Sequence, residues 1–166
     1  MASPARTSPR SSVDPGLILV ILGAVAVVVS IFLRWFDLNI STTFHVSLHY
    51  TATGVPVQFL WDYTTKSNDP SLLVVLIPSA VLALVGVALI RARWLTFVGG
   101  ALAIAVAAAY SFQLHQGLNT VRRSLHGAIK IGLSDLLGIA PIICFVGGIL
   151  IVVGALVPRG RRSSAA

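Results

Sequence analysis

Two periods divide the chain. Residues 16–35, 71–90, 94–113 and 136–157 are apolar runs that contain no Asp, Glu, Lys, Arg or His apart from Arg34 at the edge of the first, while residues 36–52 alternate apolar with polar. Each run is long enough, at about 1.5 Å per residue, to cross a hydrocarbon core of about 30 Å, so the pattern predicts four transmembrane helices. The alternating segment predicts a half-buried β-strand, with Phe36, Leu38, Ile40, Phe44, Val46, Leu48 and Tyr50 on one face and Asp37, Asn39, His45, Ser47 and His49 on the other. A strand of that length is expected to turn near Ser41-Thr42-Thr43. Gly54-Val55-Pro56 then interrupts it before an aromatic-rich stretch, residues 57–63, that reads as a further strand.

Local signals place the ends of these elements. Asp14-Pro15 and Asp69-Pro70 each supply a capping carboxylate followed by a proline suited to the first helical position. Pro78 is expected to kink the second span. Arg91-Ala92-Arg93 leaves so short a turn that the second and third spans must be antiparallel neighbours, and residues 113–125 can extend the third helix past the bilayer. The first apolar run exceeds the roughly 7–15 residues of a signal-peptide core, and no small-residue cleavage site follows it, so it reads as an uncleaved anchor.

The expected architecture is therefore an all-α membrane protein, a four-transmembrane-helix bundle spanning residues 14–157. A small extracytoplasmic antiparallel β element lies in the first outer loop, 36–69, with a second outer loop at 114–135. Residues 1–13 and 158–166 are basic Ser-, Pro- and Ala-rich tails with little to bury, and the first reads as disordered. Small residues recur at helical spacing in every span: Gly23, Ala26 and Ser30; Ser79, Ala83 and Gly86; Gly100, Ala103 and Ala107; Gly147 and Gly154. Lipid tails are as apolar as Leu, so helices in a bilayer associate through close backbone approach, and these stripes are the expected packing faces.

Charge adds an orientation. Charged residues are only 10% of the chain, the net charge is +7, and the acidic residues are all Asp. With the N-terminus in the cytoplasm, Arg6, Arg10, Arg91, Arg93, Arg159, Arg161 and Arg162 fall inside, while Arg34, Lys66, Arg122, Arg123 and Lys130 fall outside. The excess inside places both termini in the cytoplasm and the chain in a plasma (inner) membrane. Arg34 and Trp35 then mark the outer interface. The basic residues sit beside apolar runs, where anionic headgroups attract each by about 1 kcal/mol, so the high pI implies the lipid bilayer as partner and no nucleic acid. Arg far above Lys, with abundant Ala, Val and Gly, suggests a GC-rich bacterial source.

Candidate chemistry is sparse. A charge at mid-span costs about 2.5–3.5 kcal/mol or more and is kept chiefly for ion or proton handling, so uncharged spans argue against a proton-coupled transporter. The histidines His45, His49, His115 and His126 all fall on the outer side, with Asp37, Asp62 and Asp69, and are the candidate metal ligands. On one strand, however, His45 and His49 lie about 13 Å apart at about 3.3 Å per residue, too far to share an ion, so no metal site and no cofactor is expected. Cys144 lies in an apolar run and, as the single cysteine, can form no intramolecular disulfide. No nucleophile elbow, phosphate-binding glycine loop or small-molecule site is evident, and no catalytic residue is assigned.

Phe59, Leu60, Trp61 and Tyr63 form an aromatic cluster of the kind that either anchors at the headgroup level or binds a protein partner. Four spans, a long first outer loop of β character containing a Trp, and a short inner loop resemble the claudin-type tetraspans. The resemblance is one of topology. The Trp followed by Gly-Leu-Trp and a cysteine pair that mark the claudin loop are absent, Phe59-Leu60-Trp61 being the nearest stretch.

The expected function is non-enzymatic: an accessory, scaffolding or regulatory subunit of the bacterial envelope, acting through its outer loop on a membrane-protein partner or a second copy of itself. The alternatives are a small self-associating pore-forming, exclusion or immunity protein, with Ser30, Ser79, Ser111 and Gln113 lining a narrow lumen, and an outer-interface lipid-modifying enzyme.

Overall fold

The computed structural model describes residues 14–40, 46–62, 70–89, 92–124, 133 and 136–158. It is mostly helical, with α1 (Pro15–Phe32), α2 (Leu73–Ala88), α3 (Arg93–Ser124) and α4 (Ile139–Leu156). A two-stranded antiparallel sheet of β1 (Arg34–Ile40) and β2 (Val46–Thr51), followed by one 3₁₀ turn (Val57–Leu60), lies between α1 and α2.

Three helices, α1, α3 and α4, are long and apolar enough to cross a membrane, with mean hydropathies of 2.7, 1.8 and 2.7 over their most apolar windows. α2, at 16 residues, is shorter than the run at 71–90 implies. Its first residues are used otherwise: Val57 N–H donates to the Pro70 carbonyl and Leu72 N–H to that of Val55, so 70–72 pairs with 55–57 before any helix begins. Pro70 is thus not the first helical residue, Leu72 occupies the N-cap with no side-chain bond, and Asp69 lies outside the described residues. At α1 the expected device is present. Asp14 Oδ1 accepts from Gly16 N–H at 3.0 Å with Pro15 at the first position.

The helices pack in a ring in which α1 touches α2 and α4, and α3 touches α2 and α4. Glycines set the separations. A Cβ on Gly23 would stand 2.5 Å from the Gly147 carbonyl oxygen, and one on Gly147 would stand 2.8 Å from that of Gly23. Two turns further along the antiparallel pair, Gly16 and Gly154 meet with the same reciprocity. Gly100 and Gly148 repeat it between α3 and α4, and Gly86 leaves room for Thr96 between α2 and α3. At the α2–α3 seam Ser79 Oγ donates to the Gly99 carbonyl at 2.7 Å and Thr96 Oγ1 to that of Ala83 at 3.3 Å. These two hydroxyls are fully buried, and such bonds keep them from being orphaned in an apolar interior.

Residue size is sorted across these helices. Gly, Ala and Ser fill much of the buried side, whereas Ile21, Leu22, Val25, Phe32, Ile142, Phe145, Val146 and Leu156 are exposed. A water-soluble monomer rarely exposes contiguous apolar patches above a few hundred Å². Burying small side chains while displaying large apolar ones is the arrangement of a membrane-associated helical protein.

Arg93 donates to the Val157 carbonyl at 3.3 Å, so the start of α3 and the end of α4 are level, and the Gly16–Gly154 contact brings the start of α1 to the same end. The hairpin caps the opposite end. α3 continues beyond the level of the α1 end to Ser124, with Leu114 and Leu118 still buried.

Candidate functional site

The hairpin end is built on a break in strand alternation. Arg34 pairs with Thr51 and Phe36 with Tyr50, leaving Trp35 as the extra residue of a β-bulge. A bulge lets two successive residues turn toward the same side. Trp35 is fully buried while Phe36 still packs against the core, which corrects the reading of Trp35 as an interfacial marker. Its Nε1–H donates to the Ser30 carbonyl at 2.9 Å, tying the bulge to the last turn of α1. Its carbonyl oxygen accepts from Tyr110 Oη at 3.0 Å and from Gly138 N–H at 3.1 Å. One residue thereby joins α1, α3 and the start of α4.

The second edge of β1 is also occupied, since Asp37 N–H donates to the Leu136 carbonyl and Phe36 bridges Leu137. With Leu133 and Leu137 packed against the core, the segment before α4 closes the sheet on that side. A two-stranded ribbon is marginal by itself, and these contacts supply the cover it needs.

Residues 57–60 form a 3₁₀ turn, not the strand that their aromatic content suggests. Only Val55 and Val57 pair with 70–72; beyond them the backbone closes on itself, Phe59 N–H donating to the Pro56 carbonyl and Trp61 N–H to that of Gln58. The turn faces α3: Phe59 packs on Tyr110 with ring centroids 5.2 Å apart, and Gln113 Nε2 donates to the Leu60 carbonyl at 3.4 Å. Of the aromatic cluster, Phe59 and Leu60 are therefore half-buried against α3, Trp61 is 64% exposed, and Tyr63 lies outside the described residues.

Between the hairpin, the turn and α3 lies a cavity of about 220 Å³. Tyr110 and Leu114, one turn apart on α3, line it together with Phe36, Tyr50 and Phe59, and Gly54, Val55 and Pro56 complete it. Gly54 permits the close fit: a Cβ there would stand 2.9 Å from the Tyr50 ring.

The opposite sheet face is polar. Asp37 and His49 are directly cross-strand, with His49 Nδ1–H donating to Asp37 Oδ1 at 2.8 Å, while Arg34 Nη1 donates to Asp37 Oδ2 at 3.2 Å. An imidazole held through Nδ1 by a carboxylate keeps Nε2 for proton transfer, as in hydrolytic triads. Here all three side chains are at least one-third exposed, and among the described residues no nucleophile joins them. The group is a surface network of one ion pair, Arg34–Asp37, and one hydrogen bond, His49–Asp37. His115 lies elsewhere, on α3 beside Asn119 at 3.0 Å, and His45 and His126 lie outside the described residues. Among the described residues no three His, Cys, Asp or Glu side chains converge as metal ligands.

Sequence reasoning missed Trp35 and Tyr110, the two residues that organise this end. The one available signal was Trp35 itself, which falls on the polar parity of the alternating segment. No protein-family model matches the chain, and no curated protein matches it.

Proposed function

We propose that the chain is a four-span integral membrane protein of a bacterial plasma membrane, with both termini in the cytoplasm, that works by association as an accessory or scaffolding subunit. The single observation that carries this reading is a folded end element held rigidly to an uncharged bundle. The Trp35–Tyr110 tie, the Phe59–Tyr110 stack and the 55–57/70–72 pairing order a surface that displays Leu48, Tyr50 and Trp61 at 42, 44 and 64% exposure. Exposed aromatics on a preorganised surface are what a binding face offers, because little side-chain freedom is lost on docking.

α2 fits the four-span reading when its length is counted with the adjoining turn at 71–72, and a small mismatch costs only fractions of a kcal/mol per Å. The pore alternative has less support, since Val20, Val27, Leu76, Ala103, Cys144 and Ile151 are all fully buried within the ring of helices.

Crosslinking followed by affinity capture from native membranes tests the proposal. The wild-type chain is expected to recover a defined membrane-protein partner or a second copy of itself, and the Leu48→Ser/Trp61→Ala double variant to lose it. Recovery of no specific partner by the wild type, or equal recovery by the double variant, contradicts the reading.

A further inference from the structure

We propose that the cavity between the hairpin, the 3₁₀ turn and α3 binds the acyl chain of a lipid in the leaflet at the hairpin end. The inference rests on the four-span reading above.

The lining decides the chemical class. Phe36, Tyr50, Phe59 and Tyr110 present ring faces and edges, Val55 and Leu114 present methyl groups, and none of the lining residues is charged. Tyr110 contributes no free hydroxyl, because Oη is committed to the Trp35 carbonyl. The cavity is open on one side, and an apolar surface of this kind favours an apolar guest that removes it from water.

Size decides how much of a guest enters. At about 220 Å³ the cavity is smaller than the roughly 300–1,000 Å³ of pockets that enclose a whole small molecule. It fits part of a molecule whose remainder lies outside, which is the situation of one lipid chain.

Position decides the source. Tyr110 touches Trp35, three residues beyond the end of α1, and Trp35 also accepts from Gly138 at the start of α4, so the cavity lies level with the end of α1 and the start of α4. Counted from Arg93 at about 1.5 Å per residue, Tyr110 and Leu114 lie about 26 and 32 Å along α3, at the far boundary of a hydrocarbon core of about 30 Å. Aliphatic chains are the abundant apolar guest at that depth.

The full chain reconstituted into phosphatidylglycerol vesicles, with a diazirine placed midway along one acyl chain, tests this by irradiation and mass-spectrometric mapping. Labelling is expected at Phe59 and Tyr110 in addition to the exposed Ile142 and Val146, which report insertion and folding. Val55→Trp and Leu114→Trp, each filling the cavity from a different wall, should each lower labelling at Phe59 and Tyr110 by about tenfold, leaving Ile142 and Val146 unchanged. Labelling at Ile142 and Val146 with none at Phe59 and Tyr110 overturns the lipid site and leaves the four-span reading standing. Unchanged cavity labelling in both filled variants also overturns it. Absence of labelling at all four positions overturns the insertion reading and the site with it.

Discussion

Tyr110 donates its phenolic hydrogen to the carbonyl oxygen of Trp35 at 3.0 Å across 75 residues of sequence, and the two rings meet edge to face with centroids 5.2 Å apart. This contact joins the middle of α3 to the bulge that begins the hairpin, and both residues are almost fully buried. The two side chains should not contribute equally. Tyr110→Phe removes one bond but leaves the Trp35 carbonyl its second donor, Gly138 N–H, so the expected loss is about 0.5–1.5 kcal/mol. Trp35→Ala removes the ring beneath the hairpin and the bond to Ser30, and should cost about 3–5 kcal/mol. Denaturant unfolding of the purified variants in detergent measures both; a Tyr110→Phe loss as large as that of Trp35→Ala would show that the hydroxyl, not the packing, holds this end.

The α1–α4 seam should be intolerant of added atoms. Gly147→Ala places a Cβ 2.8 Å from the Gly23 carbonyl oxygen and 3.0 Å from Ala26 Cβ, and backbone cannot swing aside as a side chain can. A destabilisation of about 1–3 kcal/mol is expected for Ala, and impaired assembly for Gly147→Leu. Yield and melting temperature in detergent read this directly, and an unchanged Gly147→Leu variant would contradict the packing.

The polar sheet face, by contrast, should matter little to stability. Asp37 bonds both His49 and Arg34, yet the three side chains are 34–57% exposed, and solvent screening limits such pairs to about 0–1 kcal/mol. A double-mutant cycle of Asp37→Ala and His49→Ala should give a coupling within that range by thermal unfolding. A larger coupling would mean that the face is covered in the membrane-embedded protein.

The helices were legible because continuous apolar runs and small-residue stripes are local properties of the sequence. The hairpin was legible for the same reason, since alternation is a period-two signal. The start of α2 was not, because residues 70–72 join backbone pairs with 55–57 and nothing nearby in sequence announces that partner. The 3₁₀ turn was misread because aromatic content favours a strand, whereas here the backbone closes on itself after Val57 and Phe59 packs on Tyr110 of α3. Trp35 shows the limit most clearly. An aromatic at the end of an apolar run ordinarily sits at the interface, and only the bulge, set by the pairing of Arg34 with Thr51 and of Phe36 with Tyr50, turns it inward. The Asp37–His49 pair depended on that same register.

The central claim is that α3 carries the chain from one side of the membrane to the other and raises the hairpin element on the far side. Single cysteines at Ala92, just before α3, and at Asn119, on its projecting part, test it in intact cells with a membrane-impermeant maleimide; native Cys144 is fully buried and serves as a silent background. The account predicts that Asn119→Cys reacts from outside and Ala92→Cys reacts only after permeabilisation. Reaction of both from the same side, or of Ala92→Cys alone from outside, would contradict it.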